Sequence, residues 1–556
     1  MTTTKREPLR QEISWNPPGP GTWEFDAAHQ QRPYPVSMFD WARDAIEDGF
    51  RAGFELVGIP LDTMAVRSVN GWAYMHPVSL GGKDGGGGMP PKFVLSLLFG
   101  VIPAMRRRHA TAKSVFSDRP WNDLVTEWQA TGRPEALARH AELAATDLQA
   151  CDDAALAAHV VAVHAAAADA FRTHFTHAVP AAAVTGRFAL RTSQLTSQSV
   201  DSAFEMLAGY STATTEPFDM LDAVVAELPT ALDLRDEPET VLAAIDSYGG
   251  SAKSALTAYL DRYGDTIVAD ESPLNPTLRE LPNVIVASLR ARRNRTNTQP
   301  LDRADKLARE TRALVPASDR LDWNQLLADA RRVTALRDDD AGVALRLVGL
   351  SRLAILEVGR RLHSRGTIRH AESAFDTTTT EIVALLDGQS ITTDPDDQRR
   401  ARLLAAAETP PPILGPPEDP PDFSPFPTAI REVTEAAFAY IGRLDGPGHT
   451  DDLAGVGIGT SKVTGTARIV NDISDLDKVQ PGDILVTPMT TPAYNATIAS
   501  SAALVCDHGG TASHAAIMAR EFGIPAIVGT HTATTSLTDG ETITIDPKVG
   551  LVTPKR

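Results

Sequence analysis

Hydrophobic and polar positions follow two different patterns along the chain. Up to about residue 405, apolar residues recur at helical spacing in alanine-rich runs such as DDAALAAHVVAVHAAAADAFRTHF, which Asp152 and Asp153 can cap. From about residue 451, short β-branched runs alternate with Gly and Asp turns, as in KVTGTARIV, GDILVTP, AALVCDHGG, PAIVGT and ETITIDP. The pattern predicts a multidomain protein with a mostly α-helical N-terminal region and a compact C-terminal α/β domain.

A proline-rich stretch, ETPPPILGPPEDPPDFSPFP at Glu408–Pro427, separates the two patterns. Proline has no backbone N–H group and favours an extended chain, so the stretch is typical of a semi-rigid linker. The expected division is a helical region at 1–405, a linker at 406–428, a connecting helix at 429–450 and the α/β domain at 451–556.

Composition narrows the function classes. A formal net charge of -18 argues against nucleic acid as the main partner, because phosphate-binding surfaces usually carry a basic excess. Two cysteines are too few for a disulfide framework. The N-terminus lacks the apolar core of a signal peptide, and no uninterrupted apolar run is long enough to span a bilayer, so we expect a cytoplasmic protein without a membrane partner.

The glycine-rich stretch GGKDGGGGMPP, at Gly81–Pro91, predicts a surface loop. It is not typical of a phosphate-binding loop, because no Lys-Ser/Thr that opens a helix follows it.

The stretch CDHGGTASHAAIMAREFGIPAIVGT carries the candidate chemistry. A buried-type strand, AALVCD, leads into Gly509 and Gly510, which allow a tight turn and close backbone approach. Ser513 can then cap a helix over 514–522, which Gly523 ends by permitting a left-handed residue. The sequence therefore places His514 on the first turn of a helix that follows a strand and a glycine turn.

A histidine at a helix N-terminus has particular chemistry. The exposed N–H groups and the positive end of the helix dipole disfavour the imidazolium form and favour a negatively charged group on the ring. These are the requirements of a histidine that accepts and returns a phosphoryl group. The alternative is that His514 is a capping or core histidine, and the residues alone leave both interpretations open.

GGTASHAAIMAREFGIPAIVG resembles the phosphohistidine signature of the phosphoenolpyruvate-utilising enzyme family, which includes phosphoenolpyruvate synthase and pyruvate phosphate dikinase. GTSKVTGTARIV, GDILVTPMTTPAYNATIASSAALV and DGETITIDPKVGLV resemble, in order, the rest of the swivelling domain of that family. The resemblance implies that His514 is the phosphorylated residue and that its surroundings are shaped by Gly509, Gly510, Ser513 and Arg520. The family often has Thr where this chain has Ala512, so regulation at that position is not expected.

Members that make or use phosphoenolpyruvate carry a barrel domain after the swivelling domain, and dikinase-type members begin with an ATP-grasp domain. The chain stops at Arg556, and its N-terminal region shows no recognisable ATP-grasp pattern. The resemblance then implies that a separate ATP-grasp subunit binds ATP and Mg²⁺, and that this chain itself holds no cofactor or metal.

The N-terminal region resembles the substrate-binding region of rifampicin phosphotransferase and the matching part of the histidine-bearing subunit of phenylphosphate synthase. The resemblance lies in Arg32–Pro77, Tyr259–Ala291 and Ala335–Ile368. It departs at Gly264, Asp265 and Thr266, where relatives tend to have Gly-His-Arg. The implied function is transfer of the β-phosphoryl group of ATP, through His514, to the hydroxyl of a small substrate, and a phenol is compatible with the alanine- and leucine-rich region.

Phosphoryl transfer needs positive groups near the moving phosphate. The candidates on the acceptor side are Arg337, Arg346, Arg352 and Arg360, with Glu357, although arginines on amphipathic helices are more often solvated or ion-paired.

Four histidines on one predicted helix raise the question of a metal site: His159, His164, His174 and His177. No Cys or carboxylate stands at a spacing typical of metal ligands, so these histidines are expected to be packed or exposed. His508 is expected to end the strand before the glycine turn.

Two other function classes stay open. One is a non-catalytic binding or regulatory protein with a relic swivelling domain, and the other is a self-contained kinase with an unrecognised nucleotide site. The first predicts no effect of replacing His514, and the second predicts ATP binding by the isolated chain.

Overall fold

The computed structural model describes residues 13–27, 29–81, 98–293, 300–417, 422–441 and 453–555. The expected surface loop at Gly81–Pro91 lies, from residue 82 onward, outside these ranges. Residues 442–450 of the expected connecting helix also lie outside them.

Helices form most of the described chain before residue 442, as the hydrophobic pattern predicted. They are α1 (Val36–Val57), α2 (Pro103–Asp118), α3 (Trp121–Glu127), α4 (Arg133–Ala144), α5 (Asp153–Thr196), α6 (Val200–Phe204), α7 (Thr212–Glu227), α8 (Pro238–Tyr248), α9 (Gly250–Tyr263), α10 (Pro282–Arg293), α11 (Pro300–Leu314), α12 (Arg320–Ser364), α13 (Thr379–Leu386), α14 (Pro395–Ala405) and α15 (Thr428–Ile441).

The N-terminal region is built around α5 and α12, which have 44 and 45 residues and pack along each other. Helix α5 begins where the sequence predicted, because the Asp152 side chain accepts a hydrogen bond from the backbone N–H of Ala155 at 2.8 Å. By length and hydropathy alone α5 could span a membrane, which the sequence analysis did not identify. Here it packs against α1, α12 and α15 as the central helix of the region.

Helix α15 packs with the helices of the N-terminal region. Its backbone approaches α5 so closely that a Cβ added to Gly186 would lie 1.7 Å from the carbonyl oxygen of Ala436. The part of the expected connecting helix that the structure describes is therefore fixed against the helical region.

A four-stranded antiparallel sheet of order β2-β3-β1-β4 covers one side of the helices, and the sequence analysis did not foresee it. Its last strand comes from the proline-rich stretch. The Phe25 N–H donates to the Pro412 carbonyl at 3.0 Å, and the Tyr74 hydroxyl donates to the Pro411 carbonyl at 2.8 Å. The first half of the expected linker is thus bound to the N-terminal region. The strands are β1 (Trp23–Phe25), β2 (Leu61–Val69), β3 (Trp72–Ser79) and β4 (Ile413–Leu414).

The C-terminal region is an α/β domain, as predicted, with an eight-stranded sheet of order β5-β12-β11-β7-β8-β9-β10-β6. Strands β7 to β10 are parallel to one another, and their β-branched and leucine residues form the buried centre of the sheet. The elements are β5 (Leu453–Ala454), β6 (Val456–Ile458), β7 (Val463–Ile469), β8 (Ile484–Thr487), α16 (Asn495–Ser500), β9 (Ala503–Cys506), α17 (His514–Phe522), β10 (Ala526–Val528), α18 (Ala533–Ser536), β11 (Thr542–Asp546) and β12 (Leu551–Pro554).

The close approach of α5 and α15 gives a stability prediction. Gly186→Ala should lower the free energy of unfolding by roughly 3 kcal/mol, because the new methyl group must push the α15 backbone away. Gly342→Ala is the matched control, since its Cβ would meet its nearest neighbour at 3.9 Å and alanine favours a helix interior by about 1 kcal/mol. Thermal unfolding followed by circular dichroism should show a large loss of Tm for G186A alone. Equal Tm values for both variants would contradict the described packing.

Candidate functional site

Helix α17 is built as its sequence predicts. It begins at His514 and ends at Phe522, where Gly523 follows with φ 67°. The Ser513 hydroxyl caps the helix by accepting from the Ala516 N–H at 3.4 Å, and it also donates to the Gly510 carbonyl at 2.8 Å. Gly509 has φ 117°, which a residue with a side chain rarely adopts. The turn and cap together place the imidazole of His514 at the helix N-terminus.

The imidazole of His514 has one described hydrogen bond. Its Nδ1 lies 2.9 Å from the hydroxyl oxygen of Thr490, a buried residue that follows β8. When Nδ1 carries the proton it donates to this oxygen, and Nε2 keeps a free lone pair. Burial lowers the pKa of His514 to about 4, so the ring is neutral near pH 7. The arrangement leaves Nε2 as a neutral nucleophile.

Sequence reasoning missed Thr490. The residue stands within the segment GDILVTPMTTPAYN, yet nothing in its local pattern separates it from the adjacent Thr491. Only the parallel pairing of β8 with β9 brings it beside the helix that follows β9.

The guanidinium group of Arg520 supports the loop before His514. Its Nη1 donates to the Thr511 carbonyl at 2.6 Å, and its Cζ lies 5.4 Å from the ring centre of Phe204. Thr511 in turn donates its hydroxyl to the carbonyl of Tyr440 at 3.0 Å. Arg520 therefore holds the turn that carries His514, while burial lowers the pKa of its guanidinium group.

The α/β domain is docked on the helical region. Two of its groups, the Thr491 hydroxyl and the Ala493 N–H, donate to the carbonyl of Val268, the second at 3.3 Å. On another side, the Arg303 guanidinium donates to the Arg520 carbonyl at 2.7 Å. Apolar residues of α7 to α10 share one buried cluster with residues of β9, β10, α16 and α17. These contacts fix the position of His514 relative to the helical region.

Two sets of contacts link the segments next to His514 to the helical region. On one side Thr490 and Thr491 lead to the loop 268–271 of the helical region. On the other side Thr511 leads to Tyr440, whose hydroxyl accepts a hydrogen bond from Arg337.

His29, on the helical region, stands among charged side chains. The Asp26 carboxylate, 2.9 Å from Nδ1 of His29, and Glu271 raise the pKa of this imidazole, and the charge of Arg337 opposes the increase. The His29 side chain is 56% exposed. Burial raises the pKa of Glu271, which His29 and His174 counteract.

The five predicted acceptor-side residues lie in different surroundings. Arg337 is paired with Asp338 and donates to the Tyr440 hydroxyl. Arg346 is buried and donates to the carbonyls of Gly342 and Arg262. Arg352 is paired with Glu280 at 2.9 Å, and Arg360 is paired with Glu357 at 2.6 Å. Of the five, Arg337 contacts Tyr440, whose carbonyl accepts from Thr511 in the turn before His514, and Arg352 donates to the carbonyls of Pro273 and Leu274.

The four histidines of α5 are packed in the helical region. His164 lies between the hydroxyls of Thr379 and Ser351, at 2.8 and 2.9 Å, and burial lowers its pKa to about 4. His174 and His177 each place Nδ1 2.6 Å from one oxygen of Asp340, a carboxylate that local spacing could not reveal. His159 is buried. In the part of the chain that the structure describes, no group of three His, Cys, Asp or Glu side chains is arranged to hold a metal ion.

His508 lies two residues after β9, and its backbone N–H donates to the Pro488 carbonyl at 2.8 Å. Burial lowers the pKa of its imidazole.

The hydrogen bond of Thr490 gives a prediction for His514. Thr490→Val removes the acceptor for Nδ1–H, so the ring should populate the Nε2–H tautomer, in which Nε2 is no longer a free nucleophile. The ¹⁵N shifts of the two ring nitrogens, assigned with His514→Asn, should show this change, and Thr490→Ser should retain the wild-type pattern. In the wild type, the ring should titrate near pH 4. A wild-type tautomer in T490V, or a midpoint near 6.5, would refute the described environment.

Comparison with known proteins agrees with this geometry. Residues 479–550 match the family described as PEP-utilising enzyme, mobile domain. The uncharacterized phosphotransferase YvkC of Bacillus subtilis is 38% identical over 128 residues, which are 23% of this chain and 15% of that protein. Phosphoenolpyruvate synthase of Pseudomonas aeruginosa is 46% identical over 93 residues, 17% of this chain and 12% of the synthase.

A third relative matches both regions of the chain. Chondramide synthase cmdD of Chondromyces crocatus is 25% identical over 561 residues, which cover 96% of this chain and 14% of the synthase. The chain therefore spans only about an eighth to a seventh of the length of these relatives. The matches to the family and to the phosphotransferases cover the region that holds His514, and the C-terminal region is a phosphohistidine mobile domain of the PEP-utilising type.

Proposed function

We propose that the chain is a phosphotransferase component in which His514 accepts a phosphoryl group from ATP, by way of a separate ATP-grasp subunit. His514 then passes the group to the hydroxyl of a small substrate bound by the helical region. The observation that carries the proposal is the neutral imidazole of His514, with Nδ1 engaged by Thr490 and Nε2 free, on a mobile-type domain docked against the helical region.

The chemistry needs no proton movement on His514. With the proton held on Nδ1, Nε2 attacks the β-phosphorus of ATP and AMP leaves; water then releases the terminal phosphate, which leaves one phosphoryl group on Nε2. In the second half, the bond between Nε2 and phosphorus breaks and the electron pair returns to Nε2, so that the imidazole leaves neutral. This covalent intermediate divides one difficult transfer into two easier steps.

The docked position corresponds to the second step, in which the phosphoryl group leaves His514 for the substrate hydroxyl. The domain that carries His514 is docked on the helical region through Val268, Arg303 and a shared apolar cluster, which supports the helical region as the acceptor side. The alignment with chondramide synthase cmdD runs through both regions, which supports treating them as one functional unit. Assignment of ATP and Mg²⁺ to a partner subunit rests on the resemblance of the sequence to two-subunit relatives.

The two alternatives make different predictions. A relic domain has no reason to retain a pKa near 4 and a hydroxyl at Nδ1 of its histidine, so these features favour the carrier. A self-contained kinase would bind ATP without a partner.

The direct test is labelling of His514 with ATP that carries ³²P in the β position. We expect acid-labile label on the full chain when a lysate of its host supplies the partner, and none on His514→Ala. His508→Ala is the matched control, because His508 lies near His514 in sequence and should not affect the label. Label on the chain without lysate would instead identify a self-contained kinase. No label with a lysate that phosphorylates a known relative would identify a relic.

Docking should depend on pH through Glu521. This carboxylate is buried at the interface, where it accepts from the Gly209 N–H at 2.9 Å, and burial raises its pKa from 4.5 to about 7. If undocking restores the ordinary pKa, the neutral form favours docking. The free energy by which neutral Glu521 stabilises docking, up to about 3 kcal/mol, is then fully present below pH 4.5. It is lost as the pH rises through 7.

Hydrogen–deuterium exchange over 205–214, corrected for intrinsic rates, measures this docking. We expect less protection at pH 8 than at pH 5.5 in the wild type and a flat profile for Glu521→Gln. Glu310→Gln, on the exposed side of α11, should behave as the wild type. The same pH dependence in E521Q and wild type would show that Glu521 does not control docking.

A further inference from the structure

The C-terminal end of α17 is capped by a residue of the other domain. The last carbonyls of a helix lack the regular partners that carbonyls in its interior have. In α17 two of them, those of Arg520 and Glu521, accept hydrogen bonds from Nη2 of Arg303 at 2.7 and 3.0 Å. Arg303 lies on α11, in the helical region. The helix that carries His514 is therefore completed from across the domain interface.

The described polar contacts of the Arg303 guanidinium all cross this interface. Both of its described hydrogen bonds go to α17, and none of the described acidic side chains forms an ion pair with it. Its Nη1 is buried and has no described partner. A Cβ added to Gly523 would lie 2.7 Å from Cζ of Arg303, so the guanidinium lies directly against the turn that ends α17. The side chain thus serves the interface rather than the core of its own domain.

Helix α11 is held firmly beneath Arg303. Two residues further along the helix, the Asp305 carboxylate accepts from the Tyr210 hydroxyl at 2.6 Å and pairs with Arg331 of α12 at 3.0 Å. The start of α11 also touches the loop before α7, because a Cβ added to Gly209 would lie 2.6 Å from a backbone nitrogen of α11. The helix and this loop form one platform on which the end of α17 rests.

Two further hydrogen bonds surround the cap. The Gly209 N–H donates to the Glu521 carboxylate at 2.9 Å, and the Gly459 N–H donates to the Glu205 carboxylate at 3.1 Å. One of these amides belongs to each domain, and both bonds join the two domains. Exchange of the two amide protons therefore reports docking without a direct contribution from Arg303.

A cation is favoured at the end of α17. The C-terminal end of a helix carries partial negative charge, and a guanidinium that donates to its carbonyls forms charge-assisted hydrogen bonds. Because Arg303 and α17 belong to different domains, these bonds stabilise only the docked arrangement. They add nothing to the stability of either domain alone.

We propose that Arg303 is a positioning residue for phosphoryl transfer, which holds the far end of α17 on the helical region and so places His514 at the acceptor side. This assignment rests on the proposed function, in which the helical region binds the substrate hydroxyl. His514 and Phe522 are separated by about 12 Å along the helix, so Arg303 acts through α17 and not on the phosphoryl group.

Loss of the cap should affect the two halves of the reaction differently. Loading by a small reagent needs only Nε2 of His514, whereas transfer needs the docked domain. Transfer from a domain that is docked for part of the time slows in proportion to the docked fraction. A residue that only stabilised the fold would instead change both halves together.

The first measurement is hydrogen exchange of the full chain at one pH, because docking is expected to depend on pH through Glu521. Arg303→Ala should lower the protection of the Gly209 and Gly459 amides about 10-fold and leave the amides of α5 unchanged. Arg303→Lys should restore part of the protection, since an ammonium group can donate to the same carbonyls. Arg309→Ala, an exposed site on the same helix, is the matched control and should behave as the wild type.

The second measurement separates loading from transfer. The full chain is phosphorylated on histidine with ³²P-phosphoramidate, label on His514→Ala is subtracted as background, and the reagent is removed. The loaded chain is then mixed in parallel with phenol and with a low-molecular-mass filtrate of host cells, and formation of a labelled phosphate monoester is followed. R303A should load as the wild type and transfer up to about 10-fold more slowly, with partial rescue by R303K.

The outcomes separate this assignment from the proposed function. Equal protection of the two amides in R303A and wild type would show that Arg303 does not hold the domain. Lower protection with an unchanged transfer rate would refute its role in positioning. A wild-type chain that loads but transfers to neither phenol nor any compound in the filtrate would overturn the proposed acceptor reaction, and the positioning role with it.

Discussion

The carbonyl of Val268 is the point on which the arrangement of the site depends. It accepts hydrogen bonds from the hydroxyl of Thr491 and the N–H of Ala493, one residue and three residues after Thr490. The same short segment therefore orients the imidazole of His514 and attaches its domain to the helical region. Because one segment makes both contacts, a shift of the domain would disturb the hydrogen bond at Nδ1 and with it the tautomer of His514.

Charge is distributed unequally between the two domains at the site. The described hydrogen-bonding partner of His514 on its own domain is neutral, and Arg520 is turned toward the backbone of Thr511. The charged side chains His29 and Arg337 belong to the helical region. The low pKa of His514 comes from burial, so the imidazole stays neutral where its surroundings remain packed.

The sequence predicted the local structure around His514 well and the long-range contacts poorly. Strand, glycine turn, Ser513 cap and the bounds of α17 follow from residues within about twenty positions of one another, so their signals are local. Thr490 reaches His514 through the parallel pairing of β8 with β9, which has no local signal. Of the five residues chosen on the helices for their charge, Arg337, Arg352 and Arg360 all lie in ion pairs, the common state of arginine on helices.

Strand β4 changes where the moving part of the chain can begin. Because Ile413 and Leu414 pair with β1, and α15 lies against Gly186, the chain up to Ile441 is part of the stationary frame. Any excursion of the phosphohistidine domain must pivot after Ile441, and the covalent path to Leu453 limits the separation of these two residues to roughly 40 Å. Under the proposed function, the reach of His514 is that separation plus the distance across its own domain, and a partner that loads His514 would have to bring its nucleotide within this range.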